Sequence, residues 1–190
     1  MKEKIAKSIS RVTVAPVMAF FTGVLSFIYR RNCFNGTGWF IYTIVFLTVL
    51  PLLAYPLHKL IPRSREKARN GERKMAFILA IISYVLGTLI TFVLDAPLIV
   101  KKIFMAYLLS GVFLSFVNKG LKFKASGHAC GVSGPITLLT YLLGTKALWL
   151  FLLLPVVFWA RINLGRHTVK ELVAGTIVGI ISTFAAVNII

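Results

Sequence analysis

From Val12 onward the chain repeats one pattern: an apolar stretch near the length of a bilayer crossing, then a short polar connection rich in Lys and Arg. The apolar stretches are 12–29, 38–57, 75–94, 98–117, 125–145, 147–160 and 172–190. A backbone inside hydrocarbon has no water to bond, so stretches of this kind fold as helices that satisfy their own N–H and C=O groups. The expected fold class is an all-α integral membrane protein with six to seven transmembrane helices in one bundle, residues 1–190 forming a single membrane-embedded domain. The stretch 147–160 is the shortest. It is either a span bounded by Lys146 and Arg161 or half of one kinked helix broken at Gly144 and Pro155. Residues 1–11 are basic and lead into 12–29 as a signal sequence would. No small-x-small cleavage site follows, so an uncleaved first span is expected.

Composition excludes an ordinary soluble domain, because 58% of the 190 residues are hydrophobic and 14% charged. A net charge of +17 would point to nucleic acid in a soluble protein, but here the cations crowd into the connections between apolar stretches, and no nucleic-acid partner is expected. Alternating spans put the N-terminus, the loop 58–74 and the connections after the fourth and sixth stretches on one face. That face holds seventeen of the 22 Lys and Arg residues, against Arg30, Arg31, Lys101, Lys102 and Lys146 on the other. The positive-inside rule then makes the basic face cytoplasmic, in a plasma (inner) membrane. Lys101 and Lys102 are expected to snorkel to headgroups. Cys33 and Cys130 have neither metal spacing nor a disulfide framework, and His128 and His167 have no third ligand for zinc, so no metal and no cofactor is expected.

Two polar islands interrupt this pattern. In the first, 122–131, Ser126 supplies a hydroxyl, Gly127 lets backbone approach closely, and the following N–H groups begin a helix, which together suit an anion. His128 can protonate a leaving oxygen. In the second, 160–171, Arg161, His167 and Glu171 stand between apolar stretches, where ionisable groups are costly. If a helix begins near Gly165, His167 and Glu171 share a face. The carboxylate can then accept from Nδ1–H and leave Nε2 free to attack, while Arg161 binds an oxyanion.

Ser126-Gly127-His128, followed by Arg161, five residues, His167, three residues and Glu171, resembles the type 2 phosphatidic acid phosphatase family, which shares its fold with the vanadium haloperoxidases. The resemblance covers roughly 58–180. It implies a lipid phosphatase working through phosphohistidine, with His167 as nucleophile, His128 as acid and then base, and Arg161, Ser126 and Gly127 on the phosphoryl oxygens. Its substrates would be lipid phosphates such as phosphatidic acid, phosphatidylglycerophosphate or a polyprenyl pyrophosphate. The family's first motif, Lys, six residues, Arg-Pro, has no full copy here. Arg73, then Arg69 and Lys67, are its nearest counterparts, and Lys124 joins them as a phosphate-binding candidate. The sequence also has Ala125 where Pro is common, Ala160 where Ser is common and Glu171 where Asp is common. A transporter or assembly factor with polar residues at helix ends is the alternative reading.

Overall fold

The computed structural model describes residues 1–59 and 65–190, with the backbone alone for 59, 65–70, 72 and 73. Among the described residues all regular structure is helical. Helix α1 is Lys2–Val12, α2 Ala15–Arg30, α3 Thr37–His58, α4 Arg65–Val93, α5 Leu98–Gly120, α6 Gly127–Leu143, α7 Thr145–Asn163 and α8 Val169–Ile189.

Among the described residues, five helical segments are long and apolar enough to cross a membrane: α3, residues Lys74–Val93 of α4, α5, α7 and α8. The total reaches six if α1 and the helix that follows it, bent by 57°, count as one broken span. The expected span 125–145 corresponds to α6, whose 17 residues reach roughly 26 Å. It is also heavily buried, with Val132, Ile136 and Leu138 enclosed by neighbours, so it gains more from protein contact than from lipid. Many large apolar side chains point outward instead, among them Ile82, Leu89, Leu152, Ile177 and Phe184, as lipid-facing surfaces require.

The structure decides between the two readings of one stretch and corrects the placement of one lysine. Residues 147–160 lie within a span that runs through Lys146 and Arg161, Thr145–Asn163, and are not half of a helix kinked at Pro155. Gly144, at φ +80°, ends α6, and Thr145–Leu152 winds as a tight 3₁₀ turn into Leu153–Asn163, giving one continuous 19-residue segment. Pro155 is accommodated because it falls in the first turn of the α-helical part, where its missing N–H costs little. Lys102 does not snorkel. It is buried, donates to Tyr141 Oη at 2.6 Å and lies 4.7 Å from that ring's centre, while Lys101 pairs with Asp95 in the turn before α5.

The frame under the polar islands is the α6–α8 crossing. Small residues of α8 face a partner helix, with Gly175, Gly179, Ser182 and Ala186 buried. A Cβ on Gly175 would lie 2.2 Å from the Ser126 carbonyl oxygen, and one on Gly179 would lie 2.2 Å from Ser133 Oγ and 2.7 Å from the Cys130 carbonyl oxygen. Backbones this close exchange polar contacts across the seam: Ser133 Oγ donates to the Thr176 carbonyl at 3.0 Å, and Thr183 Oγ1 to that of Gly134 at 3.3 Å.

Candidate active site

Both islands lie at one end of the bundle and are joined by backbone. The Ser126 N–H donates to the Glu171 carbonyl at 2.8 Å, across the point where Gly175 lets α6 and α8 touch. Ser126 is the N-cap of α6, fully buried, its Oγ accepting from the Ala129 N–H at 3.4 Å. The first-turn N–H groups of α6, starting at the exposed Gly127, therefore point toward the island.

The second island is folded differently from the expectation. Gly165 does not start a helix; it ends one. At φ +59° it closes α7 in a Schellman motif, with the Gly165 N–H bonded to the Ile162 carbonyl at 2.9 Å and the Arg166 N–H to the Arg161 carbonyl at 3.0 Å. Thr168 then caps α8, its side chain accepting from the Glu171 N–H at 3.4 Å while Glu171 Oε2 accepts from the Thr168 N–H at 3.3 Å. His167 thus stands just outside the helix, yet its Nδ1 still meets Glu171 Oε2 at 2.7 Å. The longer arm of Glu is what lets one carboxylate close the capping box and hold the imidazole together.

Arg161, in the last turn of α7, is 6% exposed and its Nη1 donates to Ser10 Oγ at 2.7 Å. His128 Nε2 meets the same residue, at 3.1 Å from the Ser10 carbonyl oxygen and 3.4 Å from its Oγ. The carbonyl can only accept, so this contact is made by a protonated Nε2. Sequence reasoning missed Ser10 entirely. The signal was present in the amphipathic spacing of residues 2–12, but nothing in the sequence says that α1 packs on α7.

Burial, ahead of every other cause, holds the His167 pKa below the ordinary imidazole value of 6.5. The nearby Arg161 charge acts in the same direction, and the hydrogen bond and charge of Glu171 oppose it. The ring is accordingly neutral at neutral pH, with Nδ1 occupied by the carboxylate and Nε2 the atom left to react.

Lys124 is mostly exposed and faces Glu171, 3.7 Å from Oε2, and the Arg166 carbonyl at 3.3 Å, so it braces the second island from outside. Arg73, Arg69 and Lys67 fall in the first turns of α4, and their side chains lie outside the described residues. Structure therefore brings Ser126, His128, Arg161, His167, Glu171 and Lys124 to one end of the bundle. Compared with family models, curated proteins and solved structures, the chain matches none.

Proposed function

We propose that this protein is a metal-independent membrane lipid phosphatase, of the type 2 phosphatidic acid phosphatase kind, that hydrolyses a lipid phosphomonoester or pyrophosphate through a phosphohistidine. The observation that carries the reading is the convergence of Arg161 and His128 on the oxygens of one residue, Ser10, beside a neutral His167 oriented by Glu171. Paired donors on neighbouring oxygens are what a phosphoryl group requires.

In this mechanism His167 Nε2 attacks phosphorus in line, the P–O bond to the lipid breaks, and His128 gives its proton to the departing oxygen. Water then attacks the phosphohistidine, His128 takes the water's proton, and inorganic phosphate leaves. Arg161 and the first N–H groups of α6 stabilise the charge on the equatorial oxygens. Ser126 and Gly127 shape that cradle, and Lys124 adds positive charge at its rim.

A lipid substrate is favoured by a cavity of about 190 Å³ that starts at Gly127 and continues between α4, α5 and α6, lined by Tyr84, Tyr107, Cys130 and Leu138. Its walls are almost wholly apolar, suited to a hydrocarbon chain attached to a phosphate at the helix end. The basic end, by the positive-inside rule, faces the cytoplasm of a plasma membrane. A membrane-impermeant thiol reagent on intact cells should then label the exposed Cys33 at the opposite end.

The deciding experiment measures phosphate release from phosphatidic acid, phosphatidylglycerophosphate and a polyprenyl pyrophosphate by purified protein in chelator. Activity on at least one lipid is expected, with a loss of several decades in a folded His167→Ala variant. Retention of more than about a tenth of the activity in that variant contradicts nucleophilic catalysis. No release from any lipid by the intact chain favours the transporter or assembly-factor reading.

A further inference from the structure

The two groups proposed to hold phosphate and protonate the leaving group are both engaged by one residue of the N-terminal helix. Ser10 Oγ accepts from Arg161 Nη1 at 2.7 Å, and its carbonyl accepts from His128 Nε2 at 3.1 Å. That carbonyl lies in the last turn of α1, where it has no intrahelical N–H to bond. Two oxygens of one residue thus stand on the same cation and the same imidazole that two phosphoryl oxygens would need.

Helix α1 is attached lightly for an element in that position. It buries only Ala6, with Ile9 and Ser10 half-buried, and leaves Ile5 and Val12 exposed. Its end is a defined joint: Thr13 closes the helix onto the Ile9 carbonyl through both its N–H and its Oγ1, Val14 is extended, and α2 then starts with Pro16 in its first turn. Beyond the joint, Ala15 is pinned against α6, where a Cβ on Gly131 would come within 3.0 Å of the Ala15 Cβ. Motion of α1 therefore pivots at 13–14 without disturbing α2. The outer surface of α1 carries Lys2, Lys4, Lys7 and Arg11, all exposed, against the single acid Glu3, and the exposed Ile5 and Val12 provide apolar contact. A basic helix with exposed apolar side chains fits an anionic bilayer surface.

We propose that α1 is an autoinhibitory lid: Ser10 occupies the phosphoryl site at rest, a substrate phosphate displaces it, and the released helix lies on anionic headgroups. The inference rests on the phosphate-site reading above. In the closed state neither Arg161 Nη1 nor His128 Nε2 can meet substrate, so opening precedes chemistry. An anionic surface favours the open state because it binds α1 only after α1 has left α7.

The test uses the full chain with Ser10→Cys in a Cys33→Ser background, reconstituted in phosphatidylcholine vesicles with and without phosphatidylglycerol. The rate of maleimide labelling at position 10 is measured with and without saturating inorganic phosphate, alongside the phosphate-induced thermal shift. The lid predicts labelling several-fold faster with phosphate, and faster still when phosphatidylglycerol is present. Slower labelling with phosphate would make position 10 a fixed part of the site and overturn the lid. Unchanged labelling despite a thermal shift would overturn it equally. Absence of any thermal shift would remove the phosphate site itself, and a phosphate effect equal in both vesicles would overturn the role of anionic lipid. A second variant guards against misfolding: Ser10→Ala should lower KM several-fold at unchanged kcat, whereas a site residue would lose kcat/KM.

Discussion

Helices α8 and α1 both deliver groups to the same end of the bundle, and they are held there by opposite means. Helix α8 meets α6 along Gly175 and Gly179, backbone against backbone, with side-chain hydrogen bonds from Ser133 and Thr183 crossing the seam. Its cargo, Glu171 and through it His167, is fixed to within what that packing allows. Helix α1 packs on α7 but buries only Ala6 fully, with Ile9 and Ser10 half-buried, and its cations remain in solvent. On the proposed function the difference separates positioning from access: the groups proposed for chemistry sit on the close-packed seam, and the residue proposed to cover them sits on the more exposed helix.

The largest effect is expected at the seam. Gly179→Val adds a branched side chain where even a Cβ would meet Ser133 Oγ and two backbone atoms within 3 Å, and should destabilise the protein by about 3 kcal/mol or more. Thermal unfolding in detergent reads this directly, and a melting point equal to wild type would mean that the two helices are not so closely apposed.

Removing the buried cation comes next. Arg161→Ala should cost roughly 100- to 1,000-fold in kcat/KM, the range for one lost donor at a developing oxyanion, and should abolish thermal protection by phosphate. Protection that persists would put the anion elsewhere.

The carboxylate acts on the His167 ring, and pH reads that action. Because the folded pKa of His167 is depressed, its neutral ring contributes stability that is fully present above 6.5 and lost as pH falls through the lower folded value. The acidic limb of kcat/KM should accordingly lie below 6.5. Glu171 is the influence that raises the ring's pKa, so Glu171→Gln should move that limb to still lower pH and reduce the rate. A limb that moves upward would contradict the orientation of Nδ1.

The smallest effect belongs to α1. Ile9→Ala, at a half-buried position on the lightly held helix, should change global stability by about 1 kcal/mol or less, measured in the same unfolding assay as the seam variant. A loss as large as that of Gly179→Val would mean that α1 is part of the frame.

How far the sequence reached follows the same division. The spans were legible because hydropathy acts locally, residue by residue, along each stretch. Ser126 announced the start of α6, because an N-cap is a chemical requirement of a single position. The His167–Glu171 pair was legible as a contact but for the wrong local reason: its spacing suggested a shared helical face, whereas Gly165 is a helix end and a capping box brings the two together. Ser10 was illegible because its meaning lies in a tertiary contact with Arg161, 151 positions away, that no local pattern encodes. The buried Lys102 was misread for the same reason, its partner Tyr141 being on another helix.

His167 Nε2 is the atom proposed to take phosphorus. The direct measurement is to mix the protein with a ³²P-labelled lipid phosphate, quench with denaturant during turnover, and map the label. The account predicts label that is acid-labile and alkali-stable, as a phosphohistidine is, on the peptide that contains His167, and none on the His167→Ala chain. Turnover without such label, or label on another residue, would contradict it.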